Sequence, residues 1–382
     1  MTVRELIKLI PPTIFQDLAV ETKVDAQVKK LSGEVIFKLI LFSMLNSEKL
    51  SLRVMEKLLQ SAQFKSFSGY DILDSKYNSI RDRICTINAE YFERLFAKIF
   101  SIYNKELKEE QALNKTDSTY VALAARLFTG GMKTGDETTR FVKYSVSVKG
   151  SLPASVKIFT AQQYLSEDVA LAELINDSGH LEGNIVVFDR GIKSRKAFEK
   201  FTDSGKWFIT RSAQGIRCKA EKVKDIGEKP SNSTVTIISD QTGKLISKEQ
   251  KITEHDYRII KATIDSSGEP ICFVSNMLQE DAYLIATWYK QRWEIEVFFK
   301  FIKQHLNVKH LISRDENGIK VMLYMTMISA VLILAYKKIN KLKGYKITKL
   351  QFELELENEL IREIVILCGG DPARAPHLFS SA

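Results

Sequence analysis

Between about residues 106 and 213 the chain switches repeatedly between two hydrophobic periods, and this limits the folds open to it more than any other feature. "TDSTYVAL", "TRFVKYSVSVKG" and "ASVKIFTAQQ" are short, β-branched runs, the second with clear alternation, and each reads as a strand. "SEDVALAELIND" reads as a helix with Ser166 as its cap and Glu167 and Asp168 in its first turn, where negative charge suits the helix dipole. "GNIVVFDRG" is a buried strand in which four apolar residues run directly into Asp189, followed by Gly191. "SRKAFEKFTDSG" is a second helix closed by Gly205, and "KWFITRS" a further strand. The order strand–strand–strand–helix–strand–helix–strand is that of a mixed α/β layer.

The flanks have different textures. Residues 1–105 carry apolar residues at three-to-four spacing in "GEVIFKLILFSMLNSEKLSLRVMEKLLQSAQF" and "YNSIRDRICTINAEYFERLFAKIFSIY". Ser51 is expected to start one helix, and Ser75 or Asn78 the next. With Arg53, Lys57, Lys65, Arg81 and Arg83 interspersed, this region is either a DNA-binding helical domain or a bundle with solvated charges. Residues 214–277 show no helical period and read as a β-rich insertion. A long helix begins near Gln279. The run "VMLYMTMISAVLILAY", Val321–Tyr336, is shorter than the roughly 20 apolar residues a membrane span needs and is interrupted by Thr326 and Ser329, so a helix buried in a large core is expected.

At 45% apolar and 27% charged residues the chain is expected to be a soluble globular protein and not a disordered one. A formal net charge of +9 favours association with polyanions such as nucleic acid or anionic membrane. Cys85, Cys218, Cys272 and Cys368 form no C-x-x-C pair, which suits free thiols in a reducing cytoplasm. His180, His255, His305, His310 and His377 have no zinc spacing with them. The opening "MTVRELIKLIPPTIFQDL" lacks the pattern of a signal peptide. The expected location is therefore the cytoplasm, with no membrane partner.

The residues suited to chemistry are few. Asp189 lies where a buried strand meets its turn, the kind of position where catalytic side chains collect in open α/β sheets. Asp117 lies near the start of "TDSTYVAL". In "WYKQRWEIEVFFKFIKQHL", read as one helix from Trp288 to Leu306, Tyr289, Arg292, Glu296 and Lys303 fall within a stripe about 60° wide at about 100° per residue. That stripe borders the apolar face of Ile295, Phe298 and Ile302, while Lys290, Gln291 and Glu294 point away. Arg292 and Glu296 could be an ordinary surface i, i+4 pair, or the row could face a cleft. Asp117, Asp189 and Glu296 together would suit metal-assisted phosphodiester chemistry, in which carboxylates hold two Mg²⁺ ions about 4 Å apart. Arg292 and Lys303 would then neutralise backbone phosphate, with Tyr289 donating a hydrogen bond to it.

With these residues assembled, the sequence resembles the DDE transposases of bacterial insertion sequences, specifically the insertion sequence 4 family. Its diagnostic pattern Y-x2-R-x3-E-x6-K is matched by Tyr289, Arg292, Glu296 and Lys303. The family's D-R-G segment is matched by Asp189-Arg190-Gly191, and its D-S/G-T segment by Asp117-Ser118-Thr119. The "FITR" strand ending at Arg211 is also similar. The resemblance covers roughly residues 110–336.

The resemblance implies a ribonuclease H-like core of mixed sheet, with an inserted all-β subdomain and an N-terminal helical domain. The first aspartate would lie on the opening strand, the second on the adjacent fourth strand, and the glutamate on a late helix. The expected division of the chain is a helical domain that would bind DNA ends (1–105), the first part of the core (106–213), the β insertion (214–277), the second part of the core with the catalytic helix (278–345), and a C-terminal tail (346–382) that would serve dimerisation. Asp117, Asp189 and Glu296 would be catalytic and metal-binding, with two Mg²⁺ ions (Mn²⁺ as a substitute). Tyr289, Arg292 and Lys303 would bind DNA phosphate. Family members cut double-stranded DNA at the inverted repeats of their own element and join the 3′ ends to target DNA. They act as homodimers, and many pass through a hairpin intermediate. A domesticated ribonuclease H-like nuclease and a non-catalytic DNA-binding relative are the alternatives.

Overall fold

A computed structural model describes residues 1–374 apart from 48, 72–74, 109–112, 127, 129, 180–182, 248, 307 and 309–310. His180, His310 and His377 lie outside the described residues, as does the end of the C-terminal tail.

The first hundred residues are helical, as their period predicts: α1 (Val3–Lys8), α2 (Pro12–Thr22), α3 (Gly33–Asn46), α4 (Leu52–Leu59), α5 (Ala62–Ser68), α6 (Tyr77–Thr86) and α7 (Ala89–Glu106). Ser51 caps α4, its side chain accepting from the Val54 amide. α6 starts between the two expected positions, with Lys76 at the cap and no side-chain hydrogen bond there.

The strands follow: β1 (Leu113–Ala124), β2 (Met132–Thr134), β3 (Asp136–Lys149) and β4 (Leu152–Phe159). Then come α8 (Glu167–Asp177), β5 (Ile185–Phe188), α9 (Arg195–Asp203) and β6 (Trp207–Ser212). β1 pairs antiparallel with β3, and β3 with β4, whereas β1–β5 and β5–β6 are parallel. α9 supplies the crossover that two consecutive parallel strands require. All four residues of β5 are buried because helices or strands cover both faces: Val186 and Phe188 join one apolar cluster with α8 and α9, and Ile185 and Val187 another.

The β-rich stretch forms β7 (Cys218–Val223), β8 (Val235–Ile246), β9 (Ile252–Ile264) and β10 (Pro270–Ser275). These strands do not stand apart as a separate subdomain. β10 pairs antiparallel with both β6 and β9, so the core sheet continues into them in the order β2-β3-β1-β5-β6-β10-β9-β8-β7, with β4 beside β3. After Pro270 every residue of β10 is buried, as suits a strand paired on both edges.

Four helices complete the chain: α10 (Ala282–Lys290), α11 (Trp293–His305), α12 (Glu316–Ile339) and α13 (Tyr345–Leu367). α12 contains the apolar run, and 94% of its most hydrophobic window is buried inside the molecule. Its cap is Asp315, which accepts from the Asn317 and Gly318 amides. One apolar cluster joins α12 to the N-terminal helices, to β3 and β4, and to the inner faces of α11 and α13. The helical region is therefore packed around α12 against the β3–β4 side of the sheet.

Candidate active site

β1 alternates its side chains, placing Lys115, Asp117 and Thr119 on one face. Its parallel pairing with β5 matches Leu113–Lys115 with Ile185–Val187. Carried two residues further, that register sets Asp117 level with Asp189, the first residue after β5. Two carboxylates are thus delivered from neighbouring parallel strands at the carboxyl end of β5, where an open α/β sheet leaves a crevice.

Glu296 comes from α11, and here the sequence expectation needs correcting. Trp288 to Leu306 is not one helix. α10 ends at Lys290 and α11 begins at Trp293, joined by i→i−3 hydrogen bonds from Gln291 to Trp288 (3.1 Å) and from Arg292 to Tyr289 (3.0 Å). This tightened turn advances about 120° per residue instead of 100°. Tyr289 therefore approaches the site from a different helix than Glu296 and Lys303.

The four residues of the spaced pattern still converge. The Tyr289 hydroxyl donates to Asp189 Oδ1 at 3.0 Å. Arg292 Nη2 donates to Glu296 Oε1 at 2.6 Å. The Lys303 ammonium donates to Thr119 Oγ1, two residues along β1 from Asp117. Tyr289 thus ties α10 to the end of β5 and Lys303 ties α11 to β1, while Arg292 pairs with Glu296 within the first turn and a half of α11 itself.

An open cleft of about 550 Å³ takes in Asp117, Asp189 and Glu296 together with Arg190, Lys193 and Arg292. Glu167 and Asp168, at the start of α8, line it too. Gly191 lines the cleft against Glu167, whose Oε2 would lie 2.1 Å from a Cβ added there, so any larger residue would have to displace that side chain. Asp168 is structural, accepting from the Ser194 amide at 2.8 Å and from the Lys193 amide, which fixes the start of α9 against α8.

The two aspartates differ electrostatically. Burial pushes Asp117 up to about 6, and the charges of Glu167 and Asp189 add to this against the opposing Ser118 amide and Arg292. Burial also works to raise Asp189, but the Arg190 amide, the charges of Arg211 and Arg292 and the Tyr289 hydroxyl hold it below the ordinary carboxylate range. Burial, followed by the charge of Asp189, drives the Tyr289 phenol well above its usual value, so it stays a donor.

Sequence reasoning assigned no role to Arg211, yet its Nε lies 3.1 Å from Asp189 Oδ1 and its Nη2 3.4 Å from Oδ2. Arg211 lies next to the end of β6, and only the parallel pairing of β6 with β5 brings it beside Asp189. Glu167 was read only as a first-turn charge.

The donor set suits a hard divalent cation, since it offers carboxylate oxygens in a polar, open cleft. It is not gathered into a closed ligand shell. Among the described residues, no three Asp, Glu, His or Cys side chains stand close enough to hold one ion. Arg292 holds the Glu296 carboxylate, and Arg211 with Tyr289 holds that of Asp189.

Comparison with known proteins finds similarity to transposases. Residues 145–332, just under half of the chain, match the family described as Transposase DDE domain. The match takes in Asp189, Tyr289, Arg292, Glu296 and Lys303 but begins after Asp117. The chain is 26% identical over 282 residues to a transposase ascribed to insertion sequence element IS5377 of Geobacillus stearothermophilus, covering 71% of this chain and 72% of that one. It is 27% identical over 161 residues to transposase y4zB of Sinorhizobium fredii, covering 42% of this chain and 44% of that one. A transposase ascribed to insertion sequence element IS4SA of Synechocystis is 27% identical over 246 residues, 63% of this chain and 64% of that one. Among solved structures, the piggyBac transposase synaptic complex with hairpin DNA aligns with 99% of this chain and 84% of that chain at a TM-score of 0.48 and 10% identity. The family match and the relatives support a DDE transposase.

Proposed function

We propose that this protein is a cut-and-paste transposase of the insertion sequence 4 type, built on a ribonuclease H-like core, that cleaves double-stranded DNA at the inverted repeats of its element and joins the 3′ ends to target DNA. The observation that carries this reading is the meeting, in one open polar cleft, of Asp117 and Asp189 from neighbouring parallel strands with Glu296 from α11, walled by Arg190, Lys193 and Arg292. A cleft lined by both acidic groups and cations suits a phosphodiester: the cations would hold phosphate, and the carboxylates would hold metal.

Asp117, Asp189 and Glu296 would hold divalent cations, Mg²⁺ or Mn²⁺, once Glu296 turns out of its pair with Arg292. Bound there, the cations would supply Lewis acidity toward the attacking hydroxyl and the leaving oxygen. Releasing Glu296 also frees Arg292 for DNA phosphate. Lys303 holds Thr119 in the middle of β1, two residues from Asp117, and would bind phosphate from there. Tyr289 orients Asp189 as a neutral donor. The helices of residues 1–105 would bind the element's ends, residues 214–277 would contact DNA beyond the core, and the tail after residue 345 would contribute to a homodimer that pairs two ends.

The test is cleavage of linear DNA carrying the element's ends, with purified protein and Mg²⁺. Asp117→Ala, Asp189→Ala and Glu296→Ala are each expected to abolish end cleavage while leaving DNA binding in place. If all three cut as well as the unaltered protein, the site is elsewhere. Cleavage without joining to target DNA would favour a nuclease.

A further inference from the structure

We propose that the corner between α12 and α13 is a second DNA-binding surface, one that grips the phosphate backbone of a duplex on the opposite side of α11 from the catalytic cleft. This inference rests on the proposal that the protein acts on DNA, but on none of the residues that define the catalytic cleft.

The corner is strongly and one-sidedly charged. Lys337, Lys338, Lys341, Lys343, Lys346 and Lys349 fall within thirteen residues, and no acidic residue occurs between Glu316 and Glu353. Lys338, Lys341, Lys343 and Lys346 are exposed. Local structure accounts for only part of this set. Lys337 and Lys338 sit in the last turn of α12, where positive charge complements the helix dipole. Lys349 pairs with Glu353 at 2.6 Å. Lys341 and Lys343 lie beyond the helix end, in a turn that Lys341 (φ 54°) and Gly344 (φ 77°) form in left-handed conformations. Lys346 stands in the first turn of α13, against that helix's own dipole, and that turn holds no acidic residue and no side-chain cap. Positive charge placed where folding disfavours it, beside the open amides of a 23-residue helix, fits an external anion.

A cleft of about 510 Å³ borders the corner, with Lys337, Lys338 and Lys341 on one wall and Glu294, Val297 and Phe298 of α11 on the other. Glu294 is the single carboxylate of that lining, and the buried Lys115 ammonium lies 2.9 Å from it, so its charge is offset from within the protein. The three lysines dominate what remains. The corner is also fixed to the catalytic helix: Tyr345 stacks on Phe301 with ring centroids 4.9 Å apart, and the Lys337 ammonium lies 5.4 Å from the centre of the Tyr345 ring. DNA held here would therefore be registered to α11, which presents Glu296 to the catalytic cleft. Exposed lysines on a convex turn contact phosphates without reading bases, so the partner is duplex DNA of any sequence.

The experiment is a fluorescence-anisotropy titration of a short mixed-sequence duplex lacking the element's ends, repeated across a KCl series. It uses the full chain, the triple variant Lys338→Gln/Lys341→Gln/Lys343→Gln and the single variant Lys346→Gln. Each phosphate contact contributes roughly 0.9 to the slope of log affinity against log salt, so the triple variant should lower that slope by about 2 to 3 and weaken binding about tenfold or more at moderate salt. Lys346→Gln should lower it by about 1. If the lysine variants, folded by circular dichroism, keep the original slope and affinity, the corner is not a DNA surface, whatever the fate of the catalytic reading. If the unaltered protein binds no duplex even at low salt, both readings fail.

Discussion

Lys115 Nζ lies 2.9 Å from Glu294 Oε2 and 2.8 Å from the carbonyl of Gly150, on a lysine side chain with no exposed surface. Lys115 is two residues before Asp117 on the same face of β1, and Glu294 two residues before Glu296 on α11. The pair therefore fixes the strand that carries the first acidic residue to the helix that carries the third. Lys115→Met keeps the shape but leaves the Gly150 carbonyl without its donor, a loss of about 1–3 kcal/mol. Glu294 is half exposed and is rehydrated easily. The expected outcome is a melting temperature lowered by a few degrees, with end cleavage reduced much more than that loss of folded protein explains. Thermal unfolding and single-turnover cleavage on the same preparation would check it, and a cleavage loss that merely tracks unfolding would assign Lys115 to packing alone.

Arg292 is bound to Glu296 in this state, and the proposed function requires the two to part. Arg292→Ala removes the competitor for the Glu296 carboxylate and also a cation from the cleft lining. Mn²⁺ affinity measured by calorimetry should therefore hold or rise, while end cleavage should fall by about tenfold or more through loss of a charge-assisted phosphate contact. Lys303→Ala should likewise weaken end processing and spare metal binding. A drop in Mn²⁺ affinity in either variant would make that residue part of the metal shell's support instead of a phosphate holder.

The strand and helix alternation of the middle of the chain was readable because its apolar periods are clean: "GNIVVFDRG" is β5 running into Asp189, and "SRKAFEKFTDSG" is α9. The burial of Val321–Tyr336 followed from its length and its two hydroxyl residues. Two things were hidden for physical reasons. The break at Gln291–Arg292 leaves no sequence mark, because no proline or glycine stands there and the change is only from i→i−4 to i→i−3 bonding. Arg211 was hidden because its role depends on which strand lies beside β5, and strand adjacency is a long-range property. The sheet's continuation from β6 into β10 escaped for the same reason: a β-rich stretch reads alike whether it pairs with the core or stands apart.

Gly191 gives a test of the cleft lining. A methyl group there would meet the Glu167 carboxylate oxygen, with Glu167 Cβ and Cδ each 3.1 Å away. The nearest atom is the far end of a flexible side chain, so Glu167 can swing aside, and Gly191→Ala should cost only about 1–2 kcal/mol. Glu167→Ala removes the obstruction. The two substitutions should therefore be non-additive, the double variant being more stable than the sum of the single losses predicts, as expected for residues in contact. Urea unfolding of the four proteins decides it, and strict additivity would show that the glycine is needed for some other reason.

The raised Asp117 makes the cleft a measurable liability in the metal-free protein. Burial lifts its folded-state value to about 6, above the 3.8 of an unperturbed aspartate. Between those values the folded protein binds the proton more tightly than the unfolded chain does, so stability falls as pH rises through the window. The penalty is absent below about pH 4 and complete above about pH 6. Asp117→Asn does not titrate and escapes it. The variant is therefore expected to melt higher than the unaltered protein at pH 8, with the advantage shrinking through pH 5 and gone near pH 4. Millimolar Mg²⁺ or Mn²⁺ at pH 8 should raise the melting temperature of the unaltered protein and narrow the gap, because a cation that binds only the folded form stabilises it by mass action. Melting curves across pH, with and without metal, check both halves. An Asp117→Asn protein that is less stable at pH 8 would mean that the carboxylate is held in its charged form by contacts stronger than its burial.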